Sequence, residues 1–218
     1  VKLYFMIGLP TETDEDVTAI AALVERVFAT ARAATPPGER GGLRVAVSAS
    51  TFVPKAHTPF QWDGQLPIEE VRRRQVLLRQ AMPRKGVELS FHDAGSSLLE
   101  AVLAKGGREA AAGVEAAWRA GAVFDAWSEH FSLARWIEAL ASAGIDAAAY
   151  AAEARDRHGA LPWDHIDSGL SSAFLRAERE RTDRAETTAD CTFGECTGCG
   201  VCPGLGVDVV VAGGERRG

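Results

Sequence analysis

Between Val1 and Phe91 the hydrophobic pattern alternates between strand and helix, and this alternation constrains the fold more than any other feature of the chain. Val1-Lys2-Leu3-Tyr4-Phe5-Met6-Ile7 reads as a strand that stops at the turn signal Gly8-Leu9-Pro10. Thr13 is placed to N-cap a helix, with Asp14, Glu15 and Asp16 at the positive end of its dipole. Val17, Ile20, Ala21, Val24, Val27 and Phe28 follow the spacing of one apolar helix face. Pro36-Pro37-Gly38 and Gly41-Gly42 predict an exposed loop, and Leu43, Val45, Val47, Ala49 and Thr51 predict a second strand by their period of two. Two strands joined by a crossover helix pair in parallel. Another helix, with Pro67 at its first position, Glu69 and Glu70 in its first turn, Ile68, Val71, Gln75, Leu78 and Met82 on its face and Gly86 at its end, leads to a short third strand from Val87 to Phe91. The expected class is α/β with a parallel sheet.

From Ser96 to about Arg181 the period is helical throughout. Leu98, Leu99, Val102 and Leu103 form one face, and an alanine-rich helix from Arg108 to Ala120 stops at Gly121. Leu133, Trp136, Ile137 and Leu140 mark the next helix, Asp146 caps another running through Tyr150, and Ala173 to Arg181 forms the last. The stretch containing Asp125, Trp127, Glu129, His130 and Phe131 reads as a helix connection with buried aromatics. A cysteine-rich tail begins at Thr187, with a strand expected over Val207 to Val211 and a frayed end from Gly213 to Gly218. The expected organisation is therefore residues 1–93, 94–186 and 187–218. Because the chain opens inside a strand, which needs neighbours to pair with, it is expected to be a fragment lacking an N-terminal part.

The 218 residues are 46% hydrophobic and 25% charged, enough for a real core. No apolar run approaches the roughly 20 residues of a membrane-spanning helix, and the start lacks the basic-then-apolar pattern of a secretory leader. A net charge of −6 argues against a general nucleic-acid surface.

All four cysteines fall in Cys191-x4-Cys196-x2-Cys199-x2-Cys202-Pro203. Short spacings let one loop turn several thiolates toward a common centre, and Gly194, Gly198 and Gly200 supply the backbone freedom such a loop needs. Such clustering suits a metal site in a reducing, cytoplasmic compartment better than a disulfide scaffold. The run of two x2 spacings followed by proline resembles part of a ferredoxin pattern, while tetrathiolate zinc is the competing occupant.

In parallel α/β folds ligands gather at the carboxyl ends of the strands. There the first strand offers Gly8-Leu9-Pro10-Thr11-Glu12 and the second offers Phe52-Val53-Pro54-Lys55-Ala56-His57. Lys55 and His57 suit an anionic or proton-transferring group, although a loop histidine satisfied by hydrogen bonds fits the same pattern. His92 and Asp93 share that end of the sheet. In Leu161-Pro162-Trp163-Asp164-His165-Ile166-Asp167, His165 reads either as a base oriented by Asp164 or Asp167, or as part of a loop anchored by Trp163.

Phe5-Met6-Ile7-Gly8-Leu9-Pro10-Thr11-Glu12-Thr13 resembles the fifth-strand motif of radical S-adenosylmethionine enzymes, without its first glycine. Ser50 to Trp62 resembles the sixth-strand exit of one bacterial branch of that family. Trp127-Ser128-Glu129-His130-Phe131, the Leu161 to Asp167 run and the cysteine tail are similar to stretches of the same branch. The resemblance implies the last βα units of a TIM-barrel-like radical SAM domain, then a mostly helical domain and a metal-binding tail. It implies that Ile7, Gly8, Phe52, Val53 and Pro54 contact the adenosyl moiety, and that Lys55, His57 and His165 lie on the substrate side. Cys191, Cys196, Cys199 and Cys202 would hold a second 4Fe–4S cluster or zinc. The Cys-x3-Cys-x2-Cys loop that binds the initiating cluster is absent, so this chain is expected to be inactive without an N-terminal half. A radical-SAM-linked companion protein is an expected partner, and cobalamin an expected cofactor of some parent proteins. Lys105-Gly106-Gly107-Arg108 departs from the Arg-Gly-Asp-Arg-like run of relatives. Apart from the resemblance, the residues also admit a self-contained zinc-binding α/β module without catalysis.

Overall fold

A computed structural model describes residues 1–36, 38, 42–83 and 85–208. Strands β1 (Lys2–Ile7), β2 (Val45–Thr51) and β3 (Val87–Phe91) form a parallel sheet in the order β1-β2-β3. Ile7 stands opposite Thr51 and Ala49 opposite Phe91. Helices α1 (Asp14–Ala34) and α2 (Ile68–Ala81) make the crossovers. Thr13 and Asp16 form a reciprocal capping box at the start of α1, which satisfies donors that the first helical turn leaves free.

One face of the sheet packs into a core with these helices, joining Ile7, Val45, Val47 and Ala49 to Val17, Val24 and Leu78. The alternating pattern of β1 leaves Tyr4 and Met6 exposed on the other face, next to half-buried Ser48 and Ser50 of β2 and exposed Ser90 of β3. Pro67 is the N-cap of α2 rather than a helical residue, and the helix stops at Ala81. Pro83 disfavours a helical conformation in the residue before it, so Met82 is extended (ψ 143°). Gly86, expected to end the helix, instead takes φ +79° immediately before β3.

The chain forms two compact units that follow packing rather than chain order. The first contains Val1–Val53 and Gly64–Glu153; the second contains Pro54–Asp63 and the described residues from Ala154 onward. The first unit thus spans the sheet and most of the helical region beyond residue 93.

In the first unit, α3 (Ala94–Lys105), α4 (Ala110–Arg119), α5 (Leu133–Ser142) and α6 (Ala147–Ala152) enclose a second core around Leu98, Val102, Ala117, Trp136 and Leu140. A Cβ on Gly113 would lie 2.7 Å from Leu140 Cδ2, so glycine permits the close approach of α4 to α5. Lys105 is 1% exposed and donates to the carbonyls of Ala151 and Glu153. It ties the end of α3 to the end of α6. The buried aromatics expected between α4 and α5 are not all buried: Trp127 is 61% exposed and Phe131 half-buried. Trp136 fills the core, with its indole donating to Asp125 Oδ2 at 2.8 Å.

In the second unit, Trp62, Leu161, Trp163 and Leu175 form a small core beside α7 (Ser172–Asp183). Arg179 of α7 donates to both oxygens of Asp63 at 2.8 and 2.9 Å and also bonds Asp183. The Asp63 hydrogen bonds, opposed by burial, hold the Arg179 guanidinium even more firmly protonated than usual. The tail contains a short helix, α8 (Val201–Leu205), that its glycines and proline did not suggest. Of the strand expected over Val207 to Val211, Val207 and Asp208 are not in a strand and the remainder lies outside the described residues, as does the expected frayed end. The loop expected around Pro36 to Gly42 also lies partly outside them. No helix among the described residues is long and apolar enough to cross a membrane.

Candidate functional site

Three groups of sequence-predicted residues occupy three different places. The first is the carboxyl end of β1 and β2 in the first unit. Gly8 turns with φ +87°, followed by Thr11 at φ +70°, and a Cβ on Gly8 would meet Leu66 Cδ1 at 3.4 Å. The Gly8 N–H donates to Glu12 Oε2 at 2.6 Å, and the same oxygen accepts from Arg74 Nη1 at 2.5 Å. Arg74 Nη2 also donates to the Glu12 carbonyl at 3.0 Å. The Glu12 and Arg74 side chains are only 8% and 11% exposed, so this pair works in a weakly screened setting. The glycine turn is therefore braced from inside the chain.

Ile7 and Phe52 lie side by side, with the Phe52 N–H donating to the Ile7 carbonyl at 2.8 Å. The Phe52 carbonyl accepts from Gln65 Nε2 at 3.1 Å, which also donates to Ser97 O at 3.0 Å. Ile7, Phe52 and Val53 are buried here; Pro54, also buried, belongs to the second unit. Gly8 is buried as well, and its N–H and the Phe52 carbonyl are already engaged, so the residues expected to meet a ligand at this end are packed inside the protein. Glu12, Arg74 and Gln65 carry this arrangement. Glu12 was visible within its motif; Arg74 is 62 residues from it, and no sequence pattern joins the two.

His92 and Asp93 have structural work at the end of β3. The His92 N–H donates to the Ala49 carbonyl at 3.2 Å, and Asp93 caps α3 by accepting from Ser96 N at 2.7 Å.

The second place lies in the second unit. His57 has φ +57°, a conformation sustained by its N–H donating to Gln61 Oε1 at 3.0 Å. The same oxygen accepts from Trp163 Nε1 at 2.7 Å. His57, Asp164 and Asp167 line one cavity, whereas His165 is exposed and Lys55 is exposed on the loop. The structure thus places His57, rather than His165, with the two aspartates. Gln61 joins the loops and was missed, because a glutamine in a proline-rich loop has no distinctive spacing.

The third place is the tail. Its four cysteines are free thiols; Cys196 is exposed and the other three are half-buried. All four line one cavity of about 410 Å³ with Gly194, Gly198 and Gly200. Gly198 and Gly200 take φ +74° and +97°, and the Gly198 N–H donates to Cys196 Sγ at 3.4 Å. Ser171 at the start of α7 donates its N–H to the Cys199 carbonyl at 2.8 Å, fixing the loop to the unit. At its other end the Asp190 carboxylate accepts the Thr192 N–H at 2.8 Å, which holds it below the usual carboxylate range. Among the described residues, no three His, Cys, Asp or Glu side chains gather tightly enough to hold a single ion. The donor set fits a thiophilic metal: four thiols around one space, with a backbone N–H already on one sulfur.

No family model and no solved structure matches the chain. It is similar to "Uncharacterized protein MJ0966" of Methanocaldococcus jannaschii, 29% identical over 110 residues, covering 49% of this chain and 21% of that protein. The chain thus matches about a fifth of the length of this curated relative.

Proposed function

We propose that the chain is the C-terminal part of a radical S-adenosylmethionine enzyme, contributing the last βα units of its barrel, a helical region and a cysteine tail with a second iron–sulfur cluster. The observation that carries this reading is a parallel sheet with one exposed face. β1 is an edge strand, and Tyr4, Met6 and Ser90 are exposed on an uncovered face. Parallel sheets are ordinarily covered on both faces, and a barrel removes the edge by continuing it with another parallel strand. The braced Gly8 turn lies at the strand end where α/β proteins bind ligands. On this reading Ile7, Gly8 and Phe52 to Pro54 contact the adenosyl moiety, an N-terminal half holds the initiating cluster, and this chain alone has no activity. The setting on this reading is cytoplasmic and reducing, which suits four clustered free thiols.

Iron–sulfur is preferred over zinc because the two x2 spacings followed by Pro203 resemble part of a ferredoxin pattern. Tetrahedral zinc draws thiolates to about 2.3 Å from one point, hence roughly 3.8 Å from each other. Here all four cysteines line one cavity, and among the described residues no three of them gather tightly enough for a single ion. Cys191, Cys196, Cys199 and Cys202 would hold the cluster, which when bound supplies one-electron chemistry.

The gene is expected to encode further βα units and a Cys-x3-Cys-x2-Cys loop joined to β1. The test is anaerobic incubation of that full-length product with a low-potential reductant and S-adenosylmethionine. Formation of 5′-deoxyadenosine is expected from the full-length product and not from this chain alone. A cluster-loaded full-length product that yields none would contradict the reading.

A further inference from the structure

The cavity between the 54–62 loop and the 161–172 segment of the second unit is small, about 180 Å³, and mostly polar. At roughly 30 Å³ for each water in the liquid, that is space for about six waters or a ligand of a few heavy atoms. His57, Gln61, Asp164, Asp167, Ser168 and Ser172 supply the polar lining.

Gln61 gives the clearest sign that something binds there. The residue is only 3% exposed, and its Oε1 is fixed by two donors, the His57 N–H and Trp163 Nε1. That fixes the amide so that its Nε2 turns away from both. Nε2 has no protein partner among the described residues, yet it is not sealed from open space, and Gln61 lines the cavity. The cavity opens past the exposed Asp164, Asp167 and Ser168, so an acceptor entering from solvent can reach this amide donor.

The carboxylates identify the charge of that partner. Asp164 Oδ2 accepts the Leu161 N–H and Asp167 Oδ1 accepts the Gly169 N–H, both at 2.8 Å. Each carboxylate is therefore oriented by backbone and keeps a second oxygen for another donor. Neither forms an ion pair with a described residue. His57, Asp164 and Asp167 are not gathered tightly enough to hold a metal ion.

We propose that this cavity binds a small organic ammonium ion that also carries a hydroxyl or carbonyl oxygen. The ammonium donates to the free oxygens of Asp164 and Asp167, and the ligand oxygen accepts from Gln61 Nε2. The site uses only residues of the second unit and is independent of the tail metal and of the radical reading.

Ethanolamine at neutral pH is the probe, titrated into the full chain at constant ionic strength while the Gln61 side-chain amide and His57 ring signals are followed by NMR. Ethylene glycol, of similar size and uncharged, is the control. Saturable shifts with ethanolamine, about tenfold weaker for ethylene glycol and for Asp164→Asn and Asp167→Asn, are expected. Asparagine keeps the oxygen that accepts the backbone N–H, and the Trp163 indole signal reports whether the Gln61 bond survives. Absence of a saturable shift, equal response to ethylene glycol, or unchanged affinity in folded Asp164→Asn/Asp167→Asn would overturn the proposal.

Discussion

Gly8 and Gly64 are both glycines that the fold requires, for opposite reasons. Gly8 has φ +87°, but a Cβ there would reach only ordinary contact with Leu66. Alanine at Gly8 is expected to cost about 1–2 kcal/mol from backbone strain alone. At Gly64 a Cβ would lie 2.0 Å from the Ala152 carbonyl oxygen, an impossible distance that backbone must move to relieve. Gly64→Ala should therefore be the more damaging change, a ranking that urea unfolding of the two variants tests. The Glu12–Arg74 pair calls for a similar comparison. Arg74→Ala strands a mostly buried carboxylate and is expected to cost about 3 kcal/mol, whereas Glu12→Gln/Arg74→Met together should cost less. A double variant no more stable than Arg74→Ala alone would show that the pair acts only through packing. At this scale the sequence revealed the glycine of the turn and the candidate ligands of the tail, because those depend on local spacing. It did not reveal Arg74, Gln61 or Gln65, whose roles come from partners brought together by folding.

The elements themselves were the most legible part. β3 spans the residues expected, and α1 begins after the expected cap because Thr13, Asp16 and the apolar stripe all favour the same start. Two discrepancies stand out: Pro83 ends α2 early, and Trp127, expected to be buried in the connection, is exposed, while Trp136 lies in the core as its helix face implied. The seam between α1 and α2 also carries a pH dependence. Asp14 and Glu70 are held below their ordinary values first by hydrogen bonds from Arg73, and Asp16 first by the Thr13 N–H. A depressed carboxylate stabilises the fold above its unfolded value and loses that contribution as pH falls through the folded one. Stability is thus expected to hold down to about pH 5 and to decline below about pH 4. Asp14→Asn/Glu70→Gln should flatten that decline in unfolding measurements across the acid range. An unaltered acid limb would assign it to other groups.

At the scale of the whole molecule, chain order and packing diverge. A linear reading places the 54–62 loop with the sheet and the 161–167 loop with the helices, but the second unit takes both, joined by Gln61–Trp163 and Asp63–Arg179. Such long-range pairing has no periodicity to read. The parallel sheet was legible, and the described residues form three strands of it in the order β1-β2-β3. The tail offers the most direct test of the account. After anaerobic reconstitution with iron and sulfide, the account predicts about four iron and four sulfide per chain, with visible charge-transfer absorption that disappears in Cys199→Ala. One zinc per chain with no iron, or no bound metal and four freely titrating thiols, would contradict it.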